Sequence, residues 1–300
     1  MKRSLATSCA AAAVLVAAAG CANPPTAPAA ATAPAASPAR ELSATERLRV
    51  SDAEQVLIER CMKRAGFSYW TEPRLSLEKS QPLGYVNDDV EWAGEHGYGS
   101  RIAAEIDRFR QANPNGTYRA SLSAERRRAF DTALDGGSQA RTLSAEIPTS
   151  VGGGTIRKRL GGCSEEAEKR LYGDPEAWFQ ADKVVSNLEP LYVPRVTRDK
   201  RFKTALTSWA RCMRQAGFAY PDPTAAREAA ARAASFATET RTAVAEARCA
   251  RTTSLATVAR ERQAHYLDAL RDQYGDALDS HARLQQEAYA RAAEITSPRA

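Results

Sequence analysis

Arg60-Cys61-Met62-Lys63-Arg64-Ala65-Gly66-Phe67-Ser68-Tyr69 returns 151 residues later as Arg211-Cys212-Met213-Arg214-Gln215-Ala216-Gly217-Phe218-Ala219-Tyr220, with seven identities in the ten positions. Ahead of the first copy Val50, Ala53, Leu57 and Cys61 recur at helical spacing, and ahead of the second Phe202, Leu206, Trp209 and Met213 do so. Both copies therefore end an amphipathic helix. Glycine alone enters the left-handed region without a Cβ clash, so Gly66 and Gly217 are expected to stop these helices and to turn Phe67 and Phe218 back onto Met62 and Met213. Methionine, glycine and phenylalanine thus have structural roles. The cysteine is left to explain.

Six cysteines are spread along the chain. Cys9 falls in an export signal expected over 1–20, and Cys21 directly follows it: Lys2 and Arg3 precede an apolar run, Ala10 to Ala19, too short to span a bilayer, and Ala18-Ala19-Gly20 precedes Cys21. The arrangement resembles a bacterial lipoprotein signal, in which Cys21 is acylated and becomes the first residue of the mature protein. Two acyl chains suffice for stable anchoring. Residues 21–42, dominated by Ala, Pro, Thr and Ser, read as a flexible tether that holds a fold of about 255 residues off the membrane.

Four cysteines then remain: Cys61, Cys163, Cys212 and Cys249. An even number outside the reducing cytosol favours two disulfides. Of the three possible connectivities, the preferred one joins each motif cysteine to the next cysteine downstream, Cys61 to Cys163 and Cys212 to Cys249. Zinc is disfavoured, because no two cysteines have C-x-x-C spacing and no histidine lies near them in sequence. Neither a metal nor a cofactor is expected. Without Lys2 and Arg3 the formal charge falls from +6 to +4, dispersed along helices, which argues against nucleic acid as a partner. Thirty-four of the 42 basic residues are arginine and alanine abounds, as in proteins of GC-rich genomes; a high-GC Gram-positive source is expected.

Ser43-Ala44-Thr45-Glu46 reads as a capping box opening a helix to Ala65. Ser100 is expected to cap a helix closed by a turn at Asn113-Pro114-Asn115-Gly116, and Ser123-Ala124-Glu125 to open another that Gly136-Gly137 ends. Pro148 to Gly154 reads as a loose loop without a phosphate-binding pattern. Short helices follow Cys163 and Asp174-Pro175, Pro190 and Pro194 break the chain, and a helix from about Asp199 leads into the second motif. Asp222-Pro223 starts an alanine-rich helix expected to run past Cys249 and beyond Leu270, with an apolar seam through Leu267, Leu270, Tyr274, Ala277, His281, Leu284 and Ala288 and a bend allowed at Gly275. Tyr85-Val86 and Tyr192-Val193 are the only short strands expected. The fold class is mainly α: a disulfide-stapled helical domain of two unequal helical-hairpin halves, 43–195 and 196–296, ending in a long C-terminal helix.

Gly-Tyr-Val-Asn-Asp-Asp-Val-Glu-Trp-Ala (84–93), His-Gly-Tyr-Gly (96–99), Gly-Gly-Cys-Ser-Glu-Glu-Ala (161–167) and Leu-Tyr-Gly-Asp (171–174), interleaved with the two Arg-Cys-Met motifs, resemble a family of uncharacterised actinobacterial secreted proteins and lipoproteins. The resemblance covers nearly all of the chain after the tether. It implies an extracytoplasmic location, on the outer face of the cell membrane, and a paired-cysteine helical fold. It implies no activity. Such proteins are similar to ones encoded beside ABC-transporter or efflux components, which makes an envelope protein the expected partner.

Tyr85, Asp88, Asp89, Trp92, His96 and Tyr98 form the candidate ligand-binding stretch, because aromatics beside carboxylates suit a sugar, peptide or cation. The competing reading has Val86, Val90 and Trp92 docking this loop on the helices while Asp88 or Asp89 caps a helix beginning near Val90. No G-x-S-x-G, no H-E-x-x-H and no activated nucleophile occurs, and His265 and His281 lie sixteen residues apart. The expected function is therefore a non-enzymatic, membrane-anchored binding or adaptor protein holding an envelope protein or a small ligand. The alternative is an envelope enzyme acting on cell-wall material through Asp88, Asp89 and His96.

Overall fold

Ser43 accepts a hydrogen bond from the Glu46 amide while the Glu46 carboxylate accepts one from the Ser43 amide, so the expected capping box starts the first helix, α1 (Ala44–Arg64). Arg40, donating to the same carboxylate, and the Ser43 amide hold the Glu46 carboxyl down at about 2. The computed structural model describes residues 40–71, 73–81, 83–148, 153–233 and 235–296. The export signal, Cys21 and most of the tether lie outside the described residues. Residues 40–296 belong to one compact unit, and none of their helices is long and apolar enough to cross a membrane.

Both motifs close their helices in the same way. In the first, the Phe67 amide donates to the Met62 carbonyl at 3.0 Å and the Gly66 amide to Lys63 at 3.1 Å, with Gly66 at φ +80°. The second, ending α9 (Lys200–Gln215), repeats this with Phe218 to Met213 at 2.8 Å, Gly217 to Arg214 at 3.1 Å and Gly217 at φ +88°. These are Schellman ends with the returning phenylalanine in the same apolar cluster as its methionine. Cys61 is bonded to Cys163 in α6 (Gly162–Tyr172), and Cys212 to Cys249 in α11 (Phe236–Thr252). Those are the two bonds expected from the sequence.

Between α1 and α6 run α2 (Val90–His96), α3 (Ser100–Gln111), α4 (Pro114–Ser121), α5 (Ala124–Asp135) and an antiparallel hairpin of β1 (Arg141–Ile147) and β2 (Gly154–Leu160). The hairpin corrects the sequence reading, which expected short strands only at Tyr85-Val86 and Tyr192-Val193; the loop expected from Pro148 to Gly154 falls largely outside the described residues. β1 does alternate, with Leu143 and Ala145 buried, but in β2 the residue opposite Leu143 is Lys158. Its ammonium is drawn inward by the buried carboxylate of Glu168, so a charge occupies a core-facing position and hides the strand pattern. Asn113-Pro114 likewise opens α4 instead of closing a turn, because Asn113 caps it and proline at the first position loses no helical hydrogen bond.

After α6 come α7 (Pro175–Ser186), capped by Asp174, and α8 (Glu189–Arg198), which contains Tyr192, Val193 and Pro194. The second motif is followed by α10 (Pro223–Ala233), α11, α12 (Leu255–Asp268) and α13 (Arg271–Thr296). One long alanine-rich helix is expected here; the structure instead has α10, α11, α12 and α13 as separate helices, with breaks at 253–254 and 269–270, and Gly275 lies inside the uninterrupted α13.

The two halves interlock. α13 leaves the second half to pack on α1, α6 and α7, burying Leu284, Ala288, Ala292 and Ile295 with Val50, Ala53 and Leu171. In return α2 packs on α11. The second core centres on Trp209, Phe202 and Met213, with the Trp209 indole donating to the Glu246 carbonyl.

Where α5 meets α6 the backbones nearly touch. A β-carbon on Gly161 would stand 2.8 Å from the Gly136 Cα, and one on Gly162, at φ +56°, would press on the Ala133 carbonyl. Gly217 has the same strained sign of φ but open space around it. Gly162→Ala should therefore cost about 3 kcal/mol and Gly217→Ala about 1 kcal/mol in denaturant melts, and equal losses would contradict this packing.

Candidate functional site

The 84–99 stretch is held from beneath by two carboxylates on α11. Glu246 is fully buried; its Oε2 accepts from the Tyr98 hydroxyl at 2.8 Å and its Oε1 from Arg227 Nη2 at 2.8 Å, while the Asn87 amide also hydrogen-bonds to it. Arg227, on α10, donates its other nitrogen to the Gly84 carbonyl at 2.6 Å and lies against the Tyr98 ring. Glu239 accepts from the Tyr98 and Ser100 amides at 2.8 and 3.1 Å and from the Ser100 hydroxyl. Ser100 thus binds across to α11; Gly99, not Ser100, stands at the cap position of α3.

The six candidate residues have separate engagements. Asp89 caps α2 through the Glu91 and Trp92 amides, as the competing sequence reading had it. Both Asp88 carboxylate oxygens accept from Arg260, and its carbonyl accepts two bonds from Arg251. Trp92 donates its indole N–H to the Glu78 carbonyl, and the His96 ring stands edge-on to it with centroids 5.1 Å apart. Tyr85 leans on Phe202 with 38% of its surface exposed. Tyr98 faces inward to Glu246. The stretch is thus tied to the rest of the fold through Asp88, Asp89, Trp92 and Tyr98.

His96 Nε2 lies 3.1 Å from Glu78 Oε1 and 3.8 Å from Glu95 Oε2, and the three donor atoms fall within 4.8 Å of one another. Sequence reasoning did not bring the two glutamates to His96. Both carboxylates are more than half exposed, and a hydrogen bond between His96 and Glu78 accounts for the contact.

A concave surface the sequence did not reveal lies beside the second disulfide. It is a mainly apolar groove of about 670 Å³ formed by Cys212, Ala216 and Phe218 from the motif and by the face of α11 from Thr240 to Thr252, including Val244 and Cys249. Arg241 and Arg248 line it, and no carboxylate does. At the first motif the corresponding concavity is smaller, about 340 Å³, and more polar, with Glu59, Lys63 and Ser68 beside Gly66 and Phe67. There Phe67 is 5% exposed, covered edge-on by Phe130 of α5 at 5.4 Å and by the Arg126 guanidinium 4.4 Å above its ring, while Arg126 also donates to the Gly66 carbonyl. The equivalent Phe218 is half-buried and has no helix over it among the described residues. No signal in either segment alone foretells the groove, because its walls come from residues 212–218 and 240–252.

Burial raises the Glu246 carboxyl above its ordinary range, against the lowering effect of Arg227, Tyr98 and the Asn87 amide. A folded pKa above the unfolded one means that ionised Glu246 costs the fold stability at high pH, and that this cost disappears as the pH falls through the folded value toward the unfolded one. Arg227→Met leaves the charge without its cation. It should lose about 3 kcal/mol near pH 7 and recover part of that near pH 5, in parallel melts at the two pH values; an equal loss at both would contradict a buried carboxylate paired to Arg227. No protein-family model, no curated protein and no solved structure matches this chain, so the reading of these surfaces rests on their geometry.

Proposed function

We propose that this chain is a lipid-anchored extracytoplasmic protein of the cell envelope that acts without catalysis, as a binding or adaptor protein. The observation that carries this reading is the difference between the two motifs. One chain builds the same helix end twice, covers it with its own α5 in the first half, and leaves an apolar groove along α11 at the second. Exposed apolar concavities on otherwise polar surfaces mark binding sites.

The two disulfides are compatible with an oxidising compartment. The Ala-Gly-Cys at 19–21 behind a basic start and an apolar run supports acylation of Cys21, with the tether setting the fold's distance from the bilayer. The family resemblance adds a component of an ABC-transporter or efflux system as the first partner to examine. The alternative, an enzyme acting on cell-wall material, finds no support in the geometry: Asp88 is paired with Arg260, Asp89 caps α2 and His96 is paired with Glu78.

Fractionation of cells expressing the full chain tests the anchoring. The protein should sediment with membranes, resist salt and yield to detergent, and Cys21→Ala should shift it to the soluble extracytoplasmic fraction or leave it unprocessed. A parent protein found in the soluble fraction, or a Cys21→Ala variant anchored as firmly as the parent, would overturn it.

A further inference from the structure

The groove beside Cys212–Cys249 carries more than apolarity. Along α11 the residues that line it, from Thr240 to Thr252, form one continuous face about 18 Å long, or about three helical turns. Arg241 and Arg248 stand seven residues apart on that face, which puts them about 10 Å apart along the axis and on the same side. Both are exposed, and neither side chain makes an ion pair or hydrogen bond among the described residues. Arg211 and Arg214, exposed in the motif around Cys212, are equally without one. In a chain where most other arginines of the core helices find a carboxylate or a carbonyl, Arg241 and Arg248 leave the groove lined by uncompensated positive charge.

We propose that this groove receives a three-turn amphipathic helix of a partner envelope protein, which lays an aromatic or leucine edge on Phe218 and Val244 and sets carboxylates, seven residues apart, against Arg241 and Arg248. The proposal rests on the binding-protein reading above and names the chemistry of what is bound. The first half supplies the pattern: α5 covers Phe67 with the ring of Phe130 while its polar face meets solvent. A docking helix at the second motif takes the position that α5 holds at the first. Helix-in-groove recognition reads apolar anchors at i, i+4 and i+7, and charges at the rim set orientation and partner choice.

Two other occupants fit less well. An acyl chain would fill the apolar floor but has no use for a pair of arginines one heptad apart. A second copy of this chain, related by a two-fold axis through the groove, would bring Arg241 of one copy toward Arg248 of the other, and like charges would meet.

The test uses the detergent-solubilised full chain and two helix-stapled synthetic peptides of about fourteen residues with an identical Phe/Leu stripe. One carries Glu and the other Lys at two flanking positions seven residues apart. The Glu peptide should bind about tenfold or more tightly than the Lys peptide, since two rim charge pairs turn from attraction to repulsion. Arg241→Glu with Arg248→Glu, both on exposed positions, should invert that preference while circular dichroism is unchanged. Equal binding of the two peptides, indifference to the arginine reversal, palmitate competing both peptides away with equal effect, or a concentration-dependent dimer occupying the groove would each overturn the proposal. A photo-crosslinker at Thr240 in intact cells separates the two levels: adducts to an envelope protein that persist in the double arginine variant would keep the adaptor reading and refute the acidic helix, and the loss of any adduct in the parent would refute both.

Discussion

Each half of this protein depends on a helix that ends three residues after its cysteine with the next aromatic side chain already turned back on it. The disulfide fixes the last turn of the motif helix to a distant segment, and the left-handed glycine reverses the chain before it can leave. The carbonyls of the last turn then find the amides of glycine and phenylalanine, so no polar group is stranded at the apolar end. With the helix end rigid on both sides, the phenylalanine is held on its methionine and becomes a fixed apolar ledge. What is built on that ledge differs between the halves.

In the first half the intervening hundred residues include α5, which lies over Phe67, and the close glycine contacts at 136 and 161 bring α5 down onto the start of α6. In the second half only 36 residues separate the cysteines, and α10 is drawn to the other side of α11 by Arg227 and Glu246. The polar groups of the first half's aromatic loop converge on that same side of α11, through Tyr98, Asn87 and Gly84. A buried carboxylate is costly unless all of its lone pairs are engaged, and Glu246 is engaged by three parts of the chain at once. It ties the two halves in one register. Beside the disulfide α11 leaves Arg241 and Arg248 to solvent, with Val244 half-buried at the edge of the α2 contact.

Much of this was legible in the sequence because it is local. Ser43 and Glu46, Asp89, Asp174, Asp199 and the two glycine stops act within four residues of themselves, and their chemistry is written in their spacing. The cysteine pairing was legible for a different reason: four cysteines leave few choices, and the repeat divides them. The hairpin was hidden by Lys158, whose inward position makes sense only once Glu168 stands beneath it. Tyr98 and Asp88 resembled site residues because nothing nearby in sequence accounts for them; Glu246, Arg251 and Arg260, which do, sit in a stretch that reads as an ordinary solvated alanine-rich helix. The groove was illegible for the same reason in reverse, since exposed arginines and a valine on a helix attract no notice until Phe218 is placed beside them.

The central claim is that the same helix end is closed by the chain itself in one half and kept for a partner in the other. Hydroxyl-radical footprinting of the two phenylalanines, on the purified protein and on intact cell envelopes, tests it most directly. Phe67 should resist modification in both; Phe218 and Val244 should be modified in the purified protein and protected in the envelope. Phe218 as resistant as Phe67 in the purified protein, or as reactive in the envelope as out of it, would contradict the claim.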